Sequence, residues 1–382
     1  MKFTYLLISL TVWVVACTGT GPGSALFRPN TPHEEYERSL KSARLDQTAL
    51  GIDWTNAAQR ALRDSLRITV PYRESGYFSA SKPLAVGYRI NGSRGDKFTI
   101  RVEVQGRQAG RVFIDVFALD GSSTNLVAFA NADADSTAAA ELVWEPRRTQ
   151  PHLIRIQPEL LRSGRYTLSI TRDPVLSFPV QGRTSKQIAS YYGAPRDGGR
   201  RRHEGIDIFA PKGTPALAGV NGVISQVGEN NLGGKVVFLT DNERQQRLYY
   251  AHLDRFNVTD GQRVSVGDTI GFVGNTGNAR TTPPHLHFGI YSGYGAVNPL
   301  PFVYRTQKIT SSDFPRKFNS PSVKITTAKA TLRQAPESGS PTMGYLAKNE
   351  VVTLLGENKN WLHIQTAASQ KAFVHKSLVR GI

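Results

Sequence analysis

Residues 203–211 read His-Glu-Gly-Ile-Asp-Ile-Phe-Ala-Pro. A His and a carboxylate four positions apart share a helix face. Gly205, the β-branched Ile206 and Ile208, and Pro211 argue instead for extended chain, in which positions i and i+4 also share a face. Residues 285–288, His-Leu-His-Phe, repeat the theme at period two, sending both imidazoles one way and Leu286 and Phe288 toward a core. Between them Tyr250-Ala251-His252-Leu253 lies on another strand-like run. Four of the eight histidines thus fall between 203 and 287, beside Asp207, on a β framework.

That residue set has a definite chemistry. Two imidazoles, one carboxylate and an open fourth position make a tetrahedral zinc site of the catalytic kind. Zinc there lowers the pKa of a bound water toward ~7 and polarises a carbonyl. Two further imidazoles can accept the water's proton or stabilise the developing oxyanion. The single cysteine, Cys17, excludes both an intrachain disulfide and a cysteine-built zinc site. HEGID is not the helical His-Glu-x-x-His motif, because its fifth residue is Asp, so Glu204 is a poor general base. Imidazole and carboxylate also suit other divalent metals.

Residues 187–302 resemble the lysostaphin/LytM-type zinc metalloendopeptidases, which cut peptide bonds in peptidoglycan. The resemblance rests on HEGIDIFAPKGTPALAGVNGVI, LYYAHLDRFNVTDGQRVSVGDTIGFVGNTGNA and PHLHFGI, in that order. It implies one Zn2+ per chain held by His203, Asp207 and His287, with His252 and His285 as catalytic histidines whose division of labour stays open. It places Tyr191 or Tyr192, in SYYGAPR, on the substrate side. Pro283-Pro284 and GGKVV depart from the family pattern without touching a ligand. Gly271, Gly274 and Gly277 suit tight turns near the cleft. Of the arginines before His203, Arg200 and Arg201 are expected to meet carboxylates of the wall peptide. The implied activity is zinc-dependent hydrolysis of peptidoglycan cross-links, with the D-Ala–diaminopimelate bond favoured. The alternative is a non-catalytic envelope lipoprotein that regulates a wall amidase or binds the wall.

The rest of the chain supplies context. Its 382 residues carry a formal charge of +17, with 39% hydrophobic and 20% charged residues, as folded domains do. Lys2 and the short apolar run 3–16 form an export signal. Cys17 after Val14-Val15-Ala16, followed by TGTGPGS, resembles a lipobox, which implies a lipid anchor at Cys17 and an envelope location, periplasmic or at the outer membrane. A basic exported chain meets anionic envelope polymers, and no nucleic-acid-binding signature is present.

The expected fold is mainly β and multidomain. A signal peptide (1–16) and a tether (17–30) precede a helical segment (31–72) that starts on the capping box of Thr31-Pro32-His33-Glu34 and breaks at Gly51, with His33 on the surface. A β-sandwich (73–175) follows, from the alternation in FTIRVEVQ and RVFIDVFAL. Its Asn131, Asp133 and Asp135 could offer oxygens to calcium but lack the glycine and distal Glu of the usual loop, and read more simply as a solvated strand or turn. Then come the LytM-like antiparallel β peptidase domain (176–305), a linker (306–321) and a small barrel of bacterial Src-homology type (322–382), a wall-binding unit or a spacer.

Overall fold

The computed structural model describes residues 30–106, 110–130, 139–305 and 321–382. The signal peptide, Cys17, nearly all of the tether, the Asn131–Asp133–Asp135 group and the linker up to residue 320 lie outside the described residues. Among the described residues no helix is long and apolar enough to cross a membrane.

The first helix, Pro32–Ser42, begins on the expected capping box: the Thr31 hydroxyl accepts the Glu34 N–H and the Glu34 carboxylate accepts that of Thr31. The break does not fall at Gly51. Arg44 takes a left-handed φ of 57°, one 3-10 turn follows at Leu45–Gln47, and Thr48 caps a second helix, Ala49–Arg63. Gly51 sits in that helix's first turn, where a Cβ would stand 2.0 Å from the Leu45 carbonyl oxygen. Glycine serves close approach there, and the helix runs on through it. Trp54, Ala57, Ala58 and Ala61 form the buried stripe. The Trp54 indole N–H donates to the Pro158 carbonyl, and the Gln157 amide donates to that of Trp54. His33 is not on the surface: it is 2% exposed, stacked on Trp54 at 4.7 Å, and donates to Gln157 Oε1 at 2.7 Å.

Alternation in the next hundred residues builds two facing sheets. One runs Leu66–Arg67, Val86–Gly92, Gln150–Pro158, Val112–Asp120, Ser123–Phe129; the other contains Tyr72–Phe78, Gly164–Pro174, Asp96–Gln105 and Ala140–Trp144. Tyr88, Phe98, Ile100, Ile154 and Leu168 lie in their shared core. The second sheet continues beyond the sandwich, because Ser75 and Gly76 pair with Glu357 and Gly356 of Val351–Asn358. From there the ladder passes to Trp361–Gln365, Lys371–His375, Lys329–Arg333 and Thr342–Ala347. The expected barrel is therefore not closed. Val351–Asn358 divides one edge between Ser322–Ile325 and the sandwich, and no pairing among the described residues joins Val379–Gly381 to Thr342–Ala347.

The middle of the chain forms a separate antiparallel sheet in the order Ile188–Ser190, Gly205–Phe209, His285–Ser292, Gln246–Phe256, Gly234–Asp241, Gly222–Asn230, Arg263–Val264. Ile206, Ile208, Leu248, Tyr250, Leu286 and Phe288 are buried in one core. Strand alternation leaves the residues between them for the opposite face, where the histidines lie.

Candidate metal centre

Register brings the centre together. Asp207 pairs with His287, His287 with Ala251, and Phe209 with His285, across three adjacent strands. His203 stands just before its strand, its N–H bonded to the Ala194 carbonyl and its own carbonyl receiving the Gly193 N–H. His203 Nε2 lies 3.0 Å from Asp207 Oδ1 and 3.0 Å from His287 Nδ1, and that Nδ1 is 3.1 Å from Asp207 Oδ1. Gly205 makes room: a Cβ there would come within 2.7 Å of His287 Nε2.

His252 arrives by a different route. The pairing of Gln246–Phe256 with Gly234–Asp241 slips between Tyr250 and Leu253, and His252 adopts a φ of 61°. The extra residue is a β-bulge, which re-aims a side chain. Tyr250 stays in the core at 0% exposure, while the His252 ring comes to 5.0 Å from His285 and 5.8 Å from His287. The glycine-rich turn below supports it. Gly277, at φ 69°, packs on Gly234 and holds the Thr276 carbonyl under the imidazole.

The hydrogen bonds assign the protons. Nδ1 of His203 donates to the Tyr191 carbonyl at 3.0 Å, that of His252 to Thr276 at 2.9 Å, and that of His285 to Pro283 at 2.9 Å. A carbonyl only accepts, so each Nδ1 carries a hydrogen and each Nε2 of a neutral ring carries a lone pair. His287 instead turns Nδ1 to the cluster. Three acceptor atoms, His203 Nε2, Asp207 Oδ1 and His287 Nδ1, thus converge at 3.0–3.1 Å. A tetrahedral zinc with bonds of ~2.0–2.1 Å spaces its ligand atoms by about 3.3 Å. The residues fit such an ion after outward shifts of a few tenths of an ångström. The other Asp207 oxygen, Oδ2, accepts from Arg196 Nη2 at 2.9 Å, and the same nitrogen bonds Ser190 Oγ at 2.6 Å.

Burial pushes the Asp207 carboxyl up, but its contacts with His203 and His287 outweigh that and hold it well below the usual carboxylate range. Burial, then the neighbouring His287 and His285, push His252 down to about 4, so the ring is neutral near pH 7. His287 is lowered chiefly by burial, against the pull of Asp207.

The cleft over the cluster has a volume of about 1220 Å³, and Arg201, Arg202, Asn230, Tyr249 and Tyr291 help to line it. Arg200 does not; its guanidinium turns back to the Asp197 carbonyl. Neither Tyr191 nor Tyr192 lines it. Their hydroxyls donate to the carbonyls of Ile188 and Ala296. The tyrosines that do face it were signalled by alternation alone, since Tyr249 lies between the core residues Leu248 and Tyr250. The Tyr291 hydroxyl donates to Glu204 Oε2 at 3.1 Å, which engages Glu204 outside the donor cluster.

The antiparallel sheet thus presents an open His-Asp-His donor set, able to hold a divalent metal, beside two more imidazoles. Comparison with known proteins agrees: the chain carries a peptidase family M23 domain at residues 201–299 and a bacterial SH3 domain at residues 328–380. It is similar to the L-Ala–D-Glu endopeptidase of Bacillus subtilis, with 39% identity over 127 residues, 31% of this chain and 39% of that protein. It is similar to the glycyl-glycine endopeptidase ALE-1 of Staphylococcus capitis, with 30% identity over 196 residues, 45% of this chain and 53% of that one. The DD-carboxypeptidase/endopeptidase Mpg of Neisseria meningitidis is 40% identical over 113 residues, 30% of this chain and 25% of that protein. The chain therefore spans from a quarter to about half the length of these curated relatives. Among solved structures, the catalytic domain of lysostaphin from Staphylococcus simulans aligns with 36% identity over 30% of this chain and 90% of that one, at a TM-score of 0.28.

Proposed function

We propose that this chain is a zinc-dependent endopeptidase that hydrolyses peptide cross-links of bacterial peptidoglycan. The observation that carries the reading is the convergence of three acceptor atoms beside His252, an imidazole kept neutral and aimed by a bulge. His203, Asp207 and His287 would hold one zinc, which when bound polarises a carbonyl oxygen and acidifies a water molecule. His252 Nε2, its lone pair fixed by the Nδ1 bond to Thr276, takes the proton of the attacking water. His285, its Nδ1 held by the Pro283 carbonyl and its Nε2 4.0 Å from Asp207 Oδ1, flanks the oxygen on which charge develops. Arg201 and Arg202 on the cleft wall suit a substrate with free carboxylates. That favours the D-Ala–diaminopimelate bond over an uncharged glycine bridge. Export and lipidation at Cys17 would place this chemistry in the cell envelope, with the wall as its partner.

The test incubates the chain from residue 18 onward with purified sacculi, with and without a chelator, and weighs the released muropeptides. Chelator-sensitive conversion of cross-linked dimers to monomers is expected. Asp207→Ala loses both zinc and hydrolysis. His285→Ala retains zinc while the rate drops by about 10²–10⁴-fold. Full activity in His285→Ala would overturn its role, and zinc-loaded protein inert on every wall chemistry would overturn the peptidase reading.

A further inference from the structure

The cleft over the metal centre has two unlike walls. On one, the chain from Arg196 to Glu204 brings the charged side chains of Arg196, Arg201, Arg202 and Glu204 around the ligand His203. The other is built by Asn230, Asn231, Leu232, Asn278, Ala279 and Thr282, none of them ionisable. The sheet keeps the walls apart, since two strands lie between Gly205–Phe209 and Gly234–Asp241.

Part of the charge on the first wall is already matched. Arg196 bonds Asp207 at 2.9 Å, and Arg201 pairs with Asp197 at 2.5 Å, feeling Glu204 only at longer range. Arg202 and Glu204, both exposed, make no ion pair among the described residues, not even with each other. Neutral groups hold each of them separately. Arg202 Nη1 donates to the Gly193 carbonyl at 3.2 Å. Glu204 Oε2 accepts from the Tyr291 hydroxyl, which leaves Oε1 without a partner among the described residues. The cleft is thus offered one unmatched cation and one unmatched anion, from the two positions that flank a metal ligand.

We infer that Arg202 and Glu204 together read a substrate side chain that ends in an amino-acid head group, ammonium and carboxylate on one carbon. The ammonium meets Glu204 Oε1 and the carboxylate meets Arg202. Simpler ligands fit less well. A polyanion is repelled by Glu204, an ammonium alone is repelled by Arg202, and an uncharged glycine bridge engages neither. Both contacts to a head group are charge-assisted, and the guanidinium fork suits its carboxylate. The uncharged wall suits a small neutral residue beside it. This inference rests on the peptidase reading and deepens it: diaminopimelate ends in such a head group, whereas lysine ends in an ammonium alone.

The experiment is isothermal titration of the zinc-loaded chain from residue 18 onward with the N-acetylated tetrapeptide L-Ala-γ-D-Glu-meso-diaminopimelate-D-Ala. This probe has one free amine and no cross-link to cut. Two analogues accompany it, one with that amine acetylated and one with L-lysine in place of diaminopimelate. The parent chain is expected to favour the tetrapeptide over each analogue by about tenfold or more. Glu204→Gln, which keeps an oxygen for Tyr291, loses the preference over the acetylated analogue. Arg202→Gln loses the preference over the lysine analogue. No saturation at millimolar peptide, equal affinity of the parent for all three, or preferences that survive the exchanges would each overturn the assignment. So would a preference lost together with zinc affinity in a chelator competition, which marks a merely structural role. Binding is read without hydrolysis. Failure here while sacculi are cleaved rejects the head-group reading alone, and inert sacculi leave that reading to be decided by these titrations.

Discussion

The two oxygens of Asp207 face different partners: Oδ1 the imidazoles of His203 and His287, Oδ2 the guanidinium of Arg196. A carboxylate divided in this way offers one oxygen to a metal and leaves the fourth position open. Outer partners of this kind orient the ligand and tune its basicity, and their loss costs about 10–100-fold in metal affinity. Arg196→Gln is therefore expected to weaken zinc binding about tenfold in a chelator competition, with the far-ultraviolet dichroism unchanged. Unaltered affinity would assign Arg196 to substrate alone. Sequence shows this contact poorly, because the hairpin of Pro195–Arg196 with Arg201–Arg202 has to fold before Arg196 meets a residue eleven positions away. The pair His285 and His287 was legible for the opposite reason: strand geometry alone puts both on one face. His252 was half legible. Its strand could be read from LYYAHL, but the bulge that turns it toward His285 depends on how its neighbours pair.

At the scale of elements, the helix Pro32–Ser42 makes the sandwich acid-sensitive. Burial, then the charge of Arg155, push His33 down to about 3, against the opposing pull of Gln157 and Glu34. An unfolded histidine titrates near ~6.5. The folded value is the lower one, so between these values the unfolded chain holds the extra proton. Stability is full above pH ~6.5 and falls as pH drops toward 3. His152, pushed by burial to about 4, acts in the same direction. Denaturant unfolding followed at Trp54 should show a loss of up to about 4 kcal/mol from His33 between pH 7 and pH 3. His33→Asn should flatten that dependence, and an unchanged slope would remove His33 as its cause. The start of this helix was legible because a capping box is local. Its end was misread because Gly51 has the appearance of a breaker, whereas its role is to let the Leu45 turn pack closely.

At the scale of the molecule, the sandwich and the C-terminal unit are one structure with the peptidase sheet inserted between them in sequence. Glu74, at 0% exposure, accepts hydrogen bonds from the hydroxyls of Tyr72, Tyr88 and Tyr166 at 2.5, 2.7 and 2.6 Å, and His363 approaches it to 3.2 Å. Burial pushes this carboxyl up, but His363 and the tyrosine hydroxyls outweigh that and hold it below its ordinary value. Nothing local announces the arrangement, since Glu74 and His363 are 289 positions apart. Residues 322–382 read as a self-sufficient barrel because each of their strands has ordinary alternation. The pairing of Ser75 with Glu357 and of Gly76 with Gly356 shows that one edge is shared. Taking one hydrogen-bond partner from a buried carboxylate typically costs about 1–3 kcal/mol. His363→Ala should therefore lower the melting temperature of the sandwich by several degrees while zinc binding at the separate peptidase sheet is preserved. Deleting residues 321–382 should lower it further, since it also removes the strand paired with Ser75 and Gly76. Calorimetry of both variants against the parent chain decides the matter: a sandwich transition that stays in place would mean two independent units. If it moves, loss of wall binding on deletion cannot be equated with loss of a targeting module, because the deletion also strips a paired strand from the sandwich.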